Sequence, residues 1–572
     1  MLRLSIAALV LALVPSIASA QIFQPGTQPV GEEGGITVAV QSSRACRNCH
    51  GNYAADADHE PYDSWRGSMM GSAGRDPIAL AAIAIAEADH PDAADFCLRC
   101  HTPVAWLAGR SSLPEYDDAN PDYEERLRPD AEGALSADRD GIACMICHRM
   151  VEPPDAAMIS NAQLVLADGA EGAVRRGPYE YELGADPRHE TAVEPFLSTG
   201  ALCGSCHDIT NPLHDGFRAS TAGGALEPTG RRFAIERTYS EWRYSRFAAD
   251  GETCQTCHMP EVAALAADEG FGVRPQMNRH DLAGGNVWVP RALAAMVRDL
   301  DPEAALHLEA SALRAGEMLR RAATVEIRAS ALEGDTATAT IRVTNDSGHK
   351  LPTGYPEGRR MWLSLEVVDS SGTVVAGSGR YDDETDELER DAQLRTYEVK
   401  LGESSAPSFH FVLNDTLLED TRIPPEGFAP PPEADVDPLG REYPLVDPAD
   451  PTRGMQHWDE TSYTLSNLCG TGTLTLRARL RFQTTTREYI EFLRDEAPPS
   501  TDPALAGRSW GDVAYDAWRE HGGDQPFDME TVEVELGPAP MACPEPEIDA
   551  GIVAIDAGID AGVDAGEGDL GG

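Results

Sequence analysis

Lysine is almost missing from this chain. Of its 46 basic residues only Lys350 and Lys400 are lysine, and 95 acidic residues leave a net charge of -49. So little positive charge excludes a nucleic-acid binder, which needs a basic face, and sets the chain against anionic membrane surfaces. The acid is spread along the chain rather than confined to one tail, which reads as solubility in an exported setting. Long apolar runs are equally scarce. The alanine-rich stretch from Ile78 to Ala88 reads as a soluble helix, and nothing beyond the first 20 residues has the length of a membrane span. Residues 1–20 combine Arg3, an apolar run from Leu4 to Val14 and the close Ala18-Ser19-Ala20, the pattern of a cleaved secretory signal. A retained anchor helix is the alternative. No cysteine follows the cleavage site, which argues against a lipoprotein, so the expected location is periplasmic, extracellular or cell-surface.

Cysteine outside one repeated pattern is also nearly absent. An even count of 12 in an exported chain normally implies disulfides. Here ten of them form five copies of C-x-x-C-H: Cys46, Cys49 and His50; Cys97, Cys100 and His101; Cys144, Cys147 and His148; Cys203, Cys206 and His207; Cys254, Cys257 and His258. Two thiols at that separation reach the two vinyl groups of one haem, and the following His supplies the proximal imidazole. Zinc sites have no use for a His after every second Cys, and a redox C-x-x-C occurs once, in a βαβ setting. The cofactor expected is therefore five covalently attached haems c. The motifs start at 46, 97, 144, 203 and 254, about 50 residues per haem. That leaves little chain for an ordinary apolar core, so the porphyrins are expected to serve as one and to lie within electron-transfer reach of each other.

The distal ligands decide between wire and enzyme. Ten His remain outside the motifs: His59, His90, His189, His214, His280, His307, His349, His410, His457 and His521. The segments SWRGSMMGSAGRDP, CLRCHTP, GIACMICHR, CGSCHDITNP, RTYSEWRYSRF, CQTCHMP, HDLAGGN and NDSGHKLPTGYPEGRRMW resemble the exported multihaem cytochromes c of the cytochrome c-554-like kind, over roughly residues 46–534. In that family a W-x-x-S-x-H segment commonly supplies a distal His. Here Met70 stands at that place, which implies a thioether ligand from Met70 or, less well, Met69; the alternative is a Met packed on a haem edge. The resemblance makes His280 a distal candidate, where a Gly pair admits close backbone approach. His349 is another, in a tight turn set by Gly348 and Pro352. His189 and His214 flank the fourth motif, and His307 sits in a helix predicted from about Pro302 to Ala323. His59 and His90 are weaker. For each, a plain surface or loop His is the competing reading.

The missing lysine now excludes one class. Pentahaem nitrite reductases typically carry a C-x-x-C-K motif at the working haem, whereas every motif here ends in His and no Lys precedes Lys350. Cys469 and Cys543 are left over, either as a disulfide or as two free thiols.

From Thr324 the pattern changes to alternating, β-branched runs such as TATATIRVTND and TLTLRARLRFQT, which read as an antiparallel β-sandwich of immunoglobulin-like type. RIPPEGFAPPPEADVDPLG reads as a long loop within it, and REYIEFLRDEA and VAYDAWREHG as helices. The fold class expected is mixed: an irregular, mainly α multihaem domain over 21–323, a β-sandwich-like domain over 324–546, and a disordered Asp-Ala-Gly tail over 547–572. A calcium-binding repeat is the tail's alternative. Functionally, the first expectation is an electron carrier between redox partner proteins, with surface association possible through the tail. The alternative is an oxidoreductase acting on a small nitrogen or sulfur species at an open haem, where Tyr355 and Arg359 are the first suspects. A haem-armed sensor or binding protein is a third.

Overall fold

The computed structural model describes residues 24–53, 59–119, 127, 136–180, 188–221, 223–268 and 272–543. The expected signal segment and the Asp-Ala-Gly tail lie outside the described residues.

In the first half the chain folds as short helices joined by irregular segments, and each motif lies on or at the end of one. These are Arg44–His50, Ala93–His101, Cys144–Cys147, Gly200–Gly204 and Cys254–His258. A helical turn brings residues i, i+3 and i+4 to one face, which is why both thiols and the imidazole of a motif present together. One helix among them, Pro77–Asp89, starts with Asp76 accepting from the Ile78 N–H and Pro77 at its first turn.

That helix exposes a difference from the sequence expectation. An ordinary apolar core exists here: Leu80, Ile83, Leu98, Trp106, Tyr116 and Leu293 are all buried in one cluster. Much of its apolar partner surface arrives from far along the chain. The helices Arg487–Glu496 and Trp510–Glu520 pack on Pro77–Asp89 and bury Ile490, Leu493, Trp510 and Ala514 there. Counting residues between motifs could not reveal a core supplied from elsewhere.

The second half contains two antiparallel sheets with a common core. One sheet runs in the order Val374–Ser378, Arg360–Val368, Thr473–Gln483, Phe527–Pro538, all antiparallel. The other pairs Trp458–Leu465 with Thr336–Asn345 and that with Ala323–Glu333. Their inner faces share a core that includes Ile341, Val343, Leu363, Leu365, Leu476 and Leu480. Alternate burial along Thr473–Gln483 is the period-2 signature of a strand with one face on that core. Cys469 and Cys543 form a disulfide, and the Gly470 N–H donates to the Met541 carbonyl beside it.

The boundary expected at residue 323 is crossed by a third sheet. Ile209–Ala219 and Leu226–Glu236 form a hairpin just after the fourth motif. Thr416–Asp420 then pairs parallel with its first strand, Thr416 opposite Phe217. The two halves therefore share a sheet as well as a core. No described helix is long and apolar enough to cross a membrane.

Candidate metal centres

None of the ten motif cysteines forms a disulfide. Their neighbours lie in other motifs: Cys46 and Cys144 are close enough to shift each other's thiol, as are Cys100 and Cys206 and Cys203 and Cys254. Cys147 lies near enough to act electrostatically on both Cys203 and Cys206. The spatial order of the anchors is therefore first, third, fourth, with the second and fifth both against the fourth. Local chemistry fixes the first of these neighbours. Asp140 accepts from the Ser43 N–H at 2.6 Å, and the Ser43 hydroxyl accepts from the Cys144 N–H at 3.0 Å, locking the start of the third motif to that of the first. At the fourth motif the middle residue must be small, because a side chain on Gly204 would run into the Tyr239 ring. The segment RTYSEWRYSRF thus acts as a cover for that anchor.

Three motif histidines lie opposite a second imidazole with the ring planes near parallel. His50 and His189 have ring centroids 6.3 Å apart and planes 30° from parallel. For His148 and His280 the values are 6.2 Å and 21°, and for His258 and His349 they are 6.3 Å and 23°. Two imidazoles bound to opposite sides of one metal, each at about 2 Å, hold their centroids about 6 Å apart. These pairs fit a metal between them. The free nitrogens agree: Nδ1 of His50, His148 and His258 is taken by the carbonyls of Ala266, Arg176 and Ala283 at 2.6, 2.5 and 2.6 Å, leaving Nε2 for a metal. Burial pushes His50, His148 and His349 below the ordinary imidazole value. It pushes His258 down to about 4 and His280 to about 3. The neutral ring is the form that ligates.

His349 is held by its turn. The Asn345 amide donates to the His349 and Ile423 carbonyls, and its oxygen accepts from the Ser347 N–H. Next to it Lys350, wholly buried, pairs with Asp420 at 2.5 Å.

Other candidates lie elsewhere. Facing His50 is His189, not Met70. The carbonyl of Met70 accepts from the Ile142 N–H at 3.1 Å, beside the third motif, where Trp65 also donates to the Ile142 carbonyl. Met69, its neighbour, packs against the apolar core. His307 faces no motif histidine. It lies in the helix Pro302–Arg321 with Nε2 3.9 Å from Asp63, and periodicity alone could not say which neighbour its face would meet. Asp63, Glu303 and His307 come close together, but Arg66 and Arg47 occupy the same acidic group. His214 sits on the strand Ile209–Ala219, its Nε2 buried and without a hydrogen-bond partner.

The second and fourth anchors differ from the rest. Among the described residues no imidazole stacks on His101 or His207. The His101 Nδ1 is buried without a hydrogen bond, and the His207 Nδ1 sits 3.2 Å from the Glu236 carboxylate. Around the second anchor is a set of buried polar groups. Tyr355 lies within electrostatic reach of Cys97, with its hydroxyl 3.4 Å from that of Tyr489. Arg359 donates to the Thr353 carbonyl at 2.5 Å, while its Nε is buried without a hydrogen bond. Glu357 is buried with one donor to its carboxyl, the Asn414 amide at 3.1 Å.

Burial pushes the Glu357 carboxyl up to about 8 from its usual 4.5. The folded protein keeps this proton while the unfolded chain releases it, so stability falls as pH rises from about 4.5 to about 8, by about 1.4 kcal/mol per unit. Glu357→Gln is expected to remove that slope, matching the parent near pH 4.5 and exceeding it by a few kcal/mol at pH 8. Urea unfolding across this range checks it; equal slopes in the two proteins would refute the assignment.

Glu236 lies outside every quoted segment and Glu357 lies within NDSGHKLPTGYPEGRRMW, but the surroundings of both come only from the fold. No family model matches the chain. No curated protein matches it by sequence. Among solved structures, a penta-heme cytochrome c552 from Thermochromatium tepidum is similar at 18% identity, covering 87% of this chain and 99% of that one, with a TM-score of 0.48.

Proposed function

We propose that this chain is an exported c-type cytochrome that carries electrons between redox partner proteins through five covalently attached haems. The observation that carries this reading is the set of three imidazole pairs with centroids 6.2 to 6.3 Å apart, each containing a motif histidine. A metal with an imidazole on both sides has no open position for a substrate, which suits electron transfer and not catalysis. Haem, when bound, supplies the one-electron couple. The chain's own residues do the rest. The motif thiols would hold each ring covalently, the Nε2 atoms of the paired histidines would bind its metal, and carbonyls on Nδ1 keep the imidazoles in one tautomer. The thiol contacts give a route from the first anchor to the third and fourth, forking there to the second and fifth. The test is intact mass of the exported protein together with EPR. Expected are five covalent haems and low-spin signals from the first, third and fifth; fewer than five would sink the reading.

A second reading is favoured at one place only. Among the described residues the second anchor has no facing imidazole, and Tyr355 and Tyr489 lie nearby, hydroxyls able to bind and protonate a small nitrogen or sulfur species. Nitrite, hydroxylamine or cyanide perturbing a high-spin signal supports an enzyme; a spectrum indifferent to all three supports the carrier alone.

A further inference from the structure

We propose that Glu236 is a positioning residue that makes His207 the most electron-rich of the five proximal imidazoles, so that the fourth haem has the lowest potential of the set. This rests on the haem reading above. The comparison lies within the molecule. His50, His148 and His258 each give Nδ1 to a neutral main-chain carbonyl, His101 gives its Nδ1 to nothing, and His207 faces a carboxylate at 3.2 Å. An anionic acceptor draws the Nδ1 proton further from the ring than a carbonyl does and raises the basicity of Nε2. A more basic axial ligand stabilises the oxidised metal and lowers its potential.

The carboxylate is built into place. Glu236 ends the strand Leu226–Glu236, whose register sets it opposite Ile209, two residues past His207. It is only 8% exposed. Its Oε1 also accepts from the Thr238 hydroxyl at 3.2 Å, and Thr238 in turn lies 3.0 Å from Thr353 across the half-to-half contact. The Arg359 guanidinium acts on it electrostatically. The location matters because thiols of the second and fifth motifs both meet those of the fourth. A low-potential centre at the fork fills last and empties first, so electrons pass through it to the branch ends without resting there.

Glu236→Gln tests this in the full exported protein, because it keeps an oxygen acceptor and removes the charge. Potentiometric titration followed by visible and EPR spectra is expected to show the lowest of the redox components shifted upward, its reduced fraction at fixed potential rising about tenfold. The other four stay in place. Glu236→Asp, which restores the charge, is expected to return the component most of the way. Five attached haems with an unmoved set of potentials in the Gln variant overturn the assignment while leaving the haem reading intact. If the Gln variant does not accumulate, the Asp variant alone decides: a small upward shift of that same component supports the assignment and none overturns it. A parent protein lacking the fourth haem by peptide mass overturns both readings.

Discussion

Replacing His280 with alanine is expected to turn one low-spin haem high-spin while the haem stays covalently attached. The cause is the pairing with His148, ring to ring at 6.2 Å. On the haem reading Cys144 and Cys147 would keep the ring on the chain, and His148, whose Nδ1 is tied to the Arg176 carbonyl, would still offer one nitrogen to the metal. The other side loses its nitrogen. His189→Ala and His349→Ala are expected to do the same at the first and fifth anchors, one iron per substitution. His307→Ala supplies the contrast, since His307 lies against Asp63 and faces no motif imidazole. Magnetic circular dichroism and EPR count the irons in each spin state. An unchanged low-spin count in the His280 variant would refute the pairing, and a loss in the His307 variant would refute the contrast. The effect is large because an imidazole nitrogen bound to a metal, unlike a packing contact, sets the electronic state outright.

The anchors were legible because the spacing itself is the chemistry: Cys, Cys and His at i, i+3 and i+4 share a helical face wherever the helix ends up. His280 and His349 could be shortlisted, since a histidine in a Gly- or Pro-shaped turn is easy to see, and His189 for its place between the third and fourth motifs. Their partners could not be assigned, because each pair joins positions more than 90 residues apart that meet only through the fold. His307 and Met70 show the limit from the other side. Both have suitable donor atoms and local context, yet the His307 imidazole lies against Asp63 and the imidazole opposite His50 is His189. The contacts across residue 323 were hidden for a related reason. Strand and helix periods mark elements, not partners, so neither the hairpin after the fourth motif nor the late helices announced that they would pack across residue 323. The Cys469–Cys543 pairing, left open by counting, follows from the strand Phe527–Pro538 returning beside Thr473–Gln483.

The scarcity of lysine returns as an energetic question at Lys350. Asp420 there holds two buried cations: Lys350 at 2.5 Å and Arg422 through two 2.8 Å bonds. Arg422 also pairs with Glu241, which accepts from the Thr353 hydroxyl at 2.6 Å and the Lys350 N–H at 3.3 Å. Two positive and two negative groups thus balance beneath the turn that presents His349. Burial alone would push the Asp420 carboxyl up, but the charges of Arg422 and Lys350 overcome it and hold it below the usual range. Its stabilisation is therefore present at neutral pH and fades only as pH falls below the ordinary carboxylate range. Asp420→Asn leaves two buried cations facing one anion and is expected to cost about 3–5 kcal/mol in denaturant unfolding. It is also expected to loosen the turn enough to put part of the fifth haem into the high-spin state. The double substitution Asp420→Asn with Lys350→Met removes one charge of each sign and leaves Arg422 paired with Glu241. It is expected to recover most of the loss, a non-additivity that a bare packing role for Lys350 would not produce. Equal destabilisation of the single and double variants would show that the four groups serve as shape alone. Recovery of both stability and the low-spin signal in the double variant would tie the charge balance to His349 itself.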